Sequence, residues 1–233
     1  MPKRRHQLPF DTYYFEKQSE AGQQFSMRET FEWIFRANHW SGADSVSGQG
    51  SERSQTAAIE AAVPALLAEW RVTTFLDAPC GDISWMQRLD LPVQRYIGAA
   101  LVPELIQSHQ ERYGSAQRQF AVFDISADIL PAADLMLCRD CLVHFSFADI
   151  FKTLHNIRRS GITYLLATTF PECTDNEDIV TGDWRVLNFE LAPFHFPPPL
   201  ALINERCTEG NGLYADKSLG LWRIKELLES SII

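Results

Sequence analysis

The chain has 233 residues, 45% of them hydrophobic, and a formal net charge of −9 with His neutral. That length suits one domain with a sizeable core, and the apolar share is ordinary for a globular protein. An acidic surface repels phosphate backbones and anionic lipid, which argues against nucleic acid and membrane as main partners.

In chain order, Lys3-Arg4-Arg5 is a short basic run, expected to be a solvated tail. No apolar core follows it, so it is not expected to be a secretory signal, and no stretch approaches the roughly 20 apolar residues of a membrane span. Residues 1–44 are rich in aromatics (Phe10, Tyr14, Phe31, Trp33, Trp40 among them) and predict helical pieces packed on the main body. Ser41–Ser51 is Gly/Ser-rich and predicts a loop, able to close over a ligand or to act as a flexible linker. From Thr56 to Trp70 the apolar positions recur at helical spacing, with Pro64 able to bend the helix. The five cysteines (Cys80, Cys138, Cys141, Cys173, Cys207) are odd in number and scattered, which fits reduced thiols in a cytoplasmic protein.

A strand–helix rhythm follows. Thr73–Ala78, Tyr96–Leu101, Phe120–Ile125, Asp134–Cys138 and Ile162–Phe170 predict strands, with helices at Pro103–Tyr113 and Ala148–Arg158. Near-continuous apolar strands separated by helices indicate a doubly wound parallel sheet. Residues 171–199, rich in Pro, Asn, Asp and aromatics, are expected to form a substrate lid. Leu200–Arg206 and Ser218–Ile224 predict closing strands, one antiparallel, with a terminal helix completing 200–233. The organisation expected is one domain over 1–233: a helical N-terminal extension (1–70), a ligand-binding core (71–170), the lid and the closing strands.

Ligands of open α/β sheets bind beyond the carboxyl ends of the strands. The first predicted strand ends in Asp77-Ala78-Pro79-Cys80-Gly81-Asp82. Gly81 lets backbone approach a ligand closely, and Asp77 can accept hydrogen bonds from a ligand amine. The turn is no phosphate cradle: both glycine-rich phosphate motifs are missing, and Asp77 and Asp82 would repel a pyrophosphate.

This stretch resembles the first motif of class I S-adenosylmethionine-dependent methyltransferases, with Pro79 in place of the first glycine. It is similar to the DAPCGD-x-x-W-M form of a subgroup of small bacterial and viral members, which Trp85-Met86 completes. The resemblance continues through Tyr96-Ile97-Gly98, Phe123-Asp124-Ile125 and Asp134–His144, and covers roughly residues 45 to 225. It implies a Rossmann-like sheet and S-adenosylmethionine as cofactor. It also implies that Asp77, Ala78, Pro79, Cys80 and Gly81 face the methionine moiety and that Trp85 belongs to the cofactor site. Asp124 would accept from the adenine amino group beside Ile125, and Arg139 and Asp140 would face the emerging methyl group. A strand-end Asp124 that only caps its own turn is the alternative.

One position departs from the pattern. The acid that should hold the ribose is replaced by Ala100, next to Leu101. A hydrogen bond to a charged group is worth about 1.5–3 kcal/mol, so the loss weakens binding by about 10- to 100-fold. Three readings stay open: another acid such as Glu104 substitutes, the enzyme tolerates weak binding, or activity is lost.

Methyl transfer needs alignment of acceptor and methyl group, and an alcohol acceptor needs a base. Asp140 and His144 are four apart and share a face if their segment is helical, with His144 as base and Asp140 as its orienter or alternative base. The competing reading has His144 merely packed under the lid. Cys138-x-x-Cys141-x-x-His144 lacks a second ligand pair, so no metal is assigned. Asp183, Trp184 and Arg185 combine an acid, an indole and a guanidinium and suit a hydroxyl-rich acceptor. Members of the subgroup are often encoded near glycosyltransferases, so the resemblance too points to a small polar substrate such as a sugar hydroxyl. A non-catalytic cofactor-binding module and a nicotinamide-dependent oxidoreductase are the rival classes.

Overall fold

The computed structural model describes residues 8–228; the Lys3-Arg4-Arg5 run and the end of the expected terminal helix lie outside them. The apolar runs form β1 (Thr74–Asp77), β2 (Arg95–Ala100), β3 (Arg118–Val122), β4 (Leu135–Cys138), β5 (Tyr164–Thr169), β6 (Ala201–Asn204) and β7 (Ser218–Arg223). They make one sheet in the order β3-β2-β1-β4-β5-β7-β6. β1 to β5 pair in parallel, and β7 runs antiparallel to both β5 and β6. This is the α/β, Rossmann-like, mostly parallel sheet with an antiparallel closing strand that the rhythm predicts.

Successive side chains of a strand point to opposite faces, and both faces here are apolar because both are covered. Phe75, Leu135, Leu137, Leu166 and Leu219 meet Ile59, Val63 and Leu67 of α3 (Arg53–Glu69) and Ile106 of α4 (Pro103–Tyr113). Leu76, Ile97, Met136, Leu165 and Trp222 meet Ile150, Leu154 and Ile157 of α5 (Phe147–Arg159). The chain leaves β1 toward β2 on one side and returns to β4 on the other. That reversal opens a crevice beyond the carboxyl ends of β1 and β4.

The N-terminal extension is helical, as expected: α1 (Tyr14–Glu20) and α2 (Met27–Ala37) precede α3. Ser26 and Glu29 form a reciprocal capping box on α2, and Asn38 closes it in the left-handed conformation.

Residues 171–199, expected to form a substrate lid, send part of their length into the core. Leu187, Phe189, Phe194 and Phe196 are fully buried in the core on the α5 face, where Phe189 stacks on Phe196 at 4.9 Å. Burial of these rings holds an irregular segment in place without regular secondary structure. Cover over the crevice comes from the other end of the chain.

Candidate active site

The crevice holds a cavity of about 1060 Å³ of empty space, counting its mouth. Asp77, Pro79, Cys80, Gly81 and Trp85 line it from the turn after β1, and Ala100 and Leu101 from the end of β2. Phe123 and Ile125 contribute from beyond β3, and Arg139 and Asp140 from beyond β4. Ten of the residues that the sequence singled out thus converge on one space. Ala78 is fully buried and supports the turn from below. Asp124 is not among the lining residues. Its Oδ1 accepts from the Ser126 amide at 2.8 Å and the Ser126 hydroxyl at 2.6 Å, so this carboxylate caps its own turn.

The N-terminal segment roofs the cavity through Phe31, Ile34 and Phe35 of α2, Trp40, and the loop residues Val46, Ser47 and Ser51. Arg28 donates to the Leu101 carbonyl at 3.2 Å, and Arg36 pairs with Glu104 at 3.1 Å, which clamps α2 onto the β2–α4 turn. The loop is tied down as well. The Val46 amide donates to the Asp82 carboxylate, and the Asp82 amide donates to Ser47 Oγ at 3.0 Å. Gly81 is required here: its φ is +54°, and a Cβ would stand 2.4 Å from Ser47 Oγ.

Asp77 is 3% exposed and accepts at Oδ2 from the Tyr96 hydroxyl at 2.7 Å. Burial pushes its pKa up to about 7, against the lowering pull of that hydrogen bond and of Arg139 and Arg118. Asp140 is held the opposite way. Burial opposes its ionisation, but Lys217 at 2.7 Å and Arg139 at 3.3 Å outweigh it and set the pKa at about 2. Arg139 is buried too, and its guanidinium grips Glu205 at 2.7 Å and the Gly50 carbonyl at 2.7 Å.

Lys217, Glu205 and Glu209 escaped the sequence reading. Topology could have placed two of them. Glu205 follows β6 and Lys217 precedes the antiparallel β7, so both lie at the same edge as the carboxyl ends of β4 and β5.

A second space of about 510 Å³ adjoins the first, and Trp40, Ser47 and Asp140 line both. His144, Trp184, Tyr214, Phe170, Glu209 and Lys217 complete much of its wall. His144 and Asp140 do not share a helix face. Asp140 has φ +48°, and only a 3₁₀ turn, Leu142–His144, follows it. The orienter of His144 is the Asp183 carbonyl, 2.9 Å from Nδ1. Burial lowers the His144 pKa to about 4, so the ring is neutral at pH 7. Trp40 lies against it, ring centroids 4.5 Å apart. The indole Nε1 of Trp40 is buried without a hydrogen-bond partner among the described residues.

Of the three expected acceptor residues, only Trp184 reaches this space. Asp183 is fully buried, and its two carboxylate oxygens accept from the Phe15 and Glu16 amides at 2.8 and 3.1 Å, which caps α1 from across the chain. Arg185, 1% exposed, donates to the Leu142 and Phe145 carbonyls at 2.8 Å each and so shapes the turn that carries His144. Glu104, the alternative ribose acid, is exposed and paired with Arg36.

No family model and no curated protein matches the chain. Solved structures do match its fold. One is the N-methyltransferase NodS from Bradyrhizobium japonicum WM9 in complex with S-adenosyl-l-homocysteine, with a TM-score of 0.58 and 12% identity over 83% of this chain and 97% of that one. Another is the PH0226 protein from Pyrococcus horikoshii OT3, with a TM-score of 0.51 and 14% identity over 75% and 93%. At these identities what is shared is the architecture: the chain has the mixed seven-stranded sheet of solved methyltransferases.

Proposed function

We propose that the chain is an S-adenosylmethionine-dependent methyltransferase acting on a small polar acceptor. One observation carries the reading: a largely apolar cavity beyond the carboxyl ends of β1 to β4, lined by Asp77, whose carboxylate has a neutral tyrosine hydroxyl for its partner, while the other lining charges, Asp82, Arg139 and Asp140, are already engaged. That charge pattern suits a cationic amino-acid nucleoside and repels a pyrophosphate, which disfavours a nicotinamide cofactor.

The residues fit most of the cofactor. Asp77 offers a carboxylate to the ammonium, and Gly81 clears backbone for the methionine chain. Leu101, Phe123 and Ile125 offer apolar surface to the adenine. The ribose end has Ala100, with no acid from β2. That NodS binds S-adenosyl-l-homocysteine on the same architecture supports this placement.

S-adenosylmethionine supplies an electrophilic methyl group on a sulfonium. The chain supplies alignment and proton removal. The second cavity suits the acceptor: aromatic faces of Trp40, Trp184 and Tyr214 for the apolar side of a ring, and Glu209 for its hydroxyls. Neutral His144, with Nδ1–H donating to the Asp183 carbonyl, presents Nε2 as the base for a hydroxyl proton. Asp140, paired with Lys217 and Arg139, holds the site in shape rather than taking the proton. The acceptor we infer is a sugar hydroxyl, and the reaction O-methylation.

Calorimetric titration tests the reading against its rivals. Binding of S-adenosylmethionine and S-adenosylhomocysteine, with none of NAD or NADH, is expected. No binding at millimolar S-adenosyl compounds would overturn it.

A further inference from the structure

Among the described residues, no cation forms an ion pair with the carboxylate that the cofactor reading depends on. Its direct partner is Tyr96, on the neighbouring strand. Tyr96 pairs with Phe75, two residues before Asp77, so its side chain must run up the sheet to arrive there. Gly98, which pairs with Asp77, leaves the path open: a Cβ at that position would stand 3.1 Å from Tyr96 Cε1 and 2.6 Å from Phe120. The ring is held by three neighbours. Phe75 and Phe120 meet it edge-on at 5.9 and 5.8 Å, and the Arg118 guanidinium lies over its face at 5.2 Å. At 2% exposure, the ring has one direction in which to present its hydroxyl.

We propose that Tyr96 is a positioning residue for the cofactor site: its hydroxyl pins Oδ2 of Asp77 so that Oδ1 faces the ammonium group of S-adenosylmethionine. The inference rests on the methyltransferase reading. It goes beyond that reading in giving a buried tyrosine of β2, outside the ligand's reach, control over how the cavity recognises a cation. A charge-assisted O–H···O bond at this length is strong, and it restricts a carboxylate that would otherwise turn about its own axis. The groups that reach Asp77 electrostatically are Tyr96 from β2, Arg118 from β3, Arg139 beyond β4, and Cys80 in the turn that follows it. Among them Tyr96 makes the short contact.

The test is Tyr96→Phe, which keeps the ring and its packing. S-adenosylhomocysteine is titrated calorimetrically into both proteins across about pH 6 to 9, a range that brackets the ionisation of a buried carboxylate. Wild-type affinity is expected to decline as the pH falls below about 7, where Asp77 takes up a proton. In Tyr96→Phe the ionised form loses its donor. Affinity at neutral pH then drops about tenfold, the effect of one hydrogen bond to a charged group, and the decline begins about one unit higher. In an Asp77→Asn background the same substitution is expected to leave the pH profile unmoved. Unchanged affinity in Tyr96→Phe, or a uniform loss at every pH with the profile in place, would make Tyr96 a packing residue and overturn the proposal. Failure of the wild-type protein to bind S-adenosylhomocysteine at any pH would instead overturn the cofactor reading, and this inference with it.

Discussion

Asp77 and Asp140 stand at the ends of adjacent strands, β1 and β4, and border the same cavity, yet they are held in opposite states. Asp77 has a tyrosine hydroxyl for its partner, and burial pushes it up to about pH 7. Asp140 has Lys217 and Arg139, which hold it at about pH 2 despite burial. The contrast separates recognition from architecture. A carboxylate already matched by two cations has little left to offer a positive ligand. One kept marginally ionised gains most when a ligand brings the cation. The Asp77 side is therefore assigned to the cofactor, and the Asp140 side to holding the site in shape.

The largest effect is expected on the architectural side. Lys217 is buried against Asp140, with Glu205 and Glu209 each 3.8 Å away. Lys217→Met would leave these acids with Arg139 alone. Removing one partner of a buried ion pair costs about 3–5 kcal/mol, and urea denaturation at pH 7 should show a loss of that size. A loss under about 1 kcal/mol would mean that solvent screens the cluster, as it does exposed pairs, and the contrast with Asp77 would fade.

Asp77→Asn probes the other side and should act in two directions. S-adenosylhomocysteine affinity at pH 8 is expected to fall by about 10- to 100-fold with loss of a charge-assisted contact. Stability without ligand should rise. The folded pKa of Asp77 lies above its unfolded value of about 4, so its ionisation lowers stability as the pH climbs through the interval between about 4 and 7. Asn carries no such penalty, and the variant should be more stable at pH 8 by about 1–3 kcal/mol, the difference vanishing below about pH 4. Equal stability at both pH values would show that Asp77 is not strained by burial.

Much of the Asp77 side was legible in the sequence and little of the Asp140 side, for a physical reason. Asp77 to Gly81 form one contiguous turn, Ala100 ends β2, and Ile125 lies just beyond β3, strands whose apolar runs mark their ends. The partners on the Asp140 side come from far along the chain: Glu205 lies 66 residues from Arg139, and Lys217 lies 77 from Asp140. Periodicity carries no information about such pairs. Asp183 shows the same limit, since its position among polar residues suggested a substrate contact, whereas its carboxylate accepts from the Phe15 amide, 168 positions earlier, and caps α1. The seven strands were predictable because each is an apolar run. The aromatic run in 171–199 also signalled burial, but its prolines and acids read as a lid.

Two glycines sharpen the comparison with smaller effects, because each abuts one of the two carboxylate regions and covers it with the same N-terminal loop. At Gly81 a methyl group meets a φ of +54° and the Ser47 hydroxyl, so Gly81→Ala strains the turn and lifts the loop from Asp82. At Gly50 a Cβ would stand 3.1 Å from Lys217 Nζ and 3.2 Å from the nearest carboxylate oxygens of Asp140 and Glu209. Gly50→Ala therefore crowds an ion cluster rather than a ligand turn. Both should lower stability by about 1 kcal/mol, the order of a strained backbone or a crowded contact. Affinity is where they diverge. Gly81→Ala should weaken S-adenosylhomocysteine binding by a further factor of about 5–10, roughly 1 kcal/mol, and Gly50→Ala should leave it within about twofold. Thermal shifts with and without S-adenosylhomocysteine separate the two cases, since a ligand that binds the folded state raises the midpoint in proportion to its affinity. If Gly50→Ala lost the ligand shift and Gly81→Ala kept it, the roles assigned to the two carboxylates would have to be exchanged.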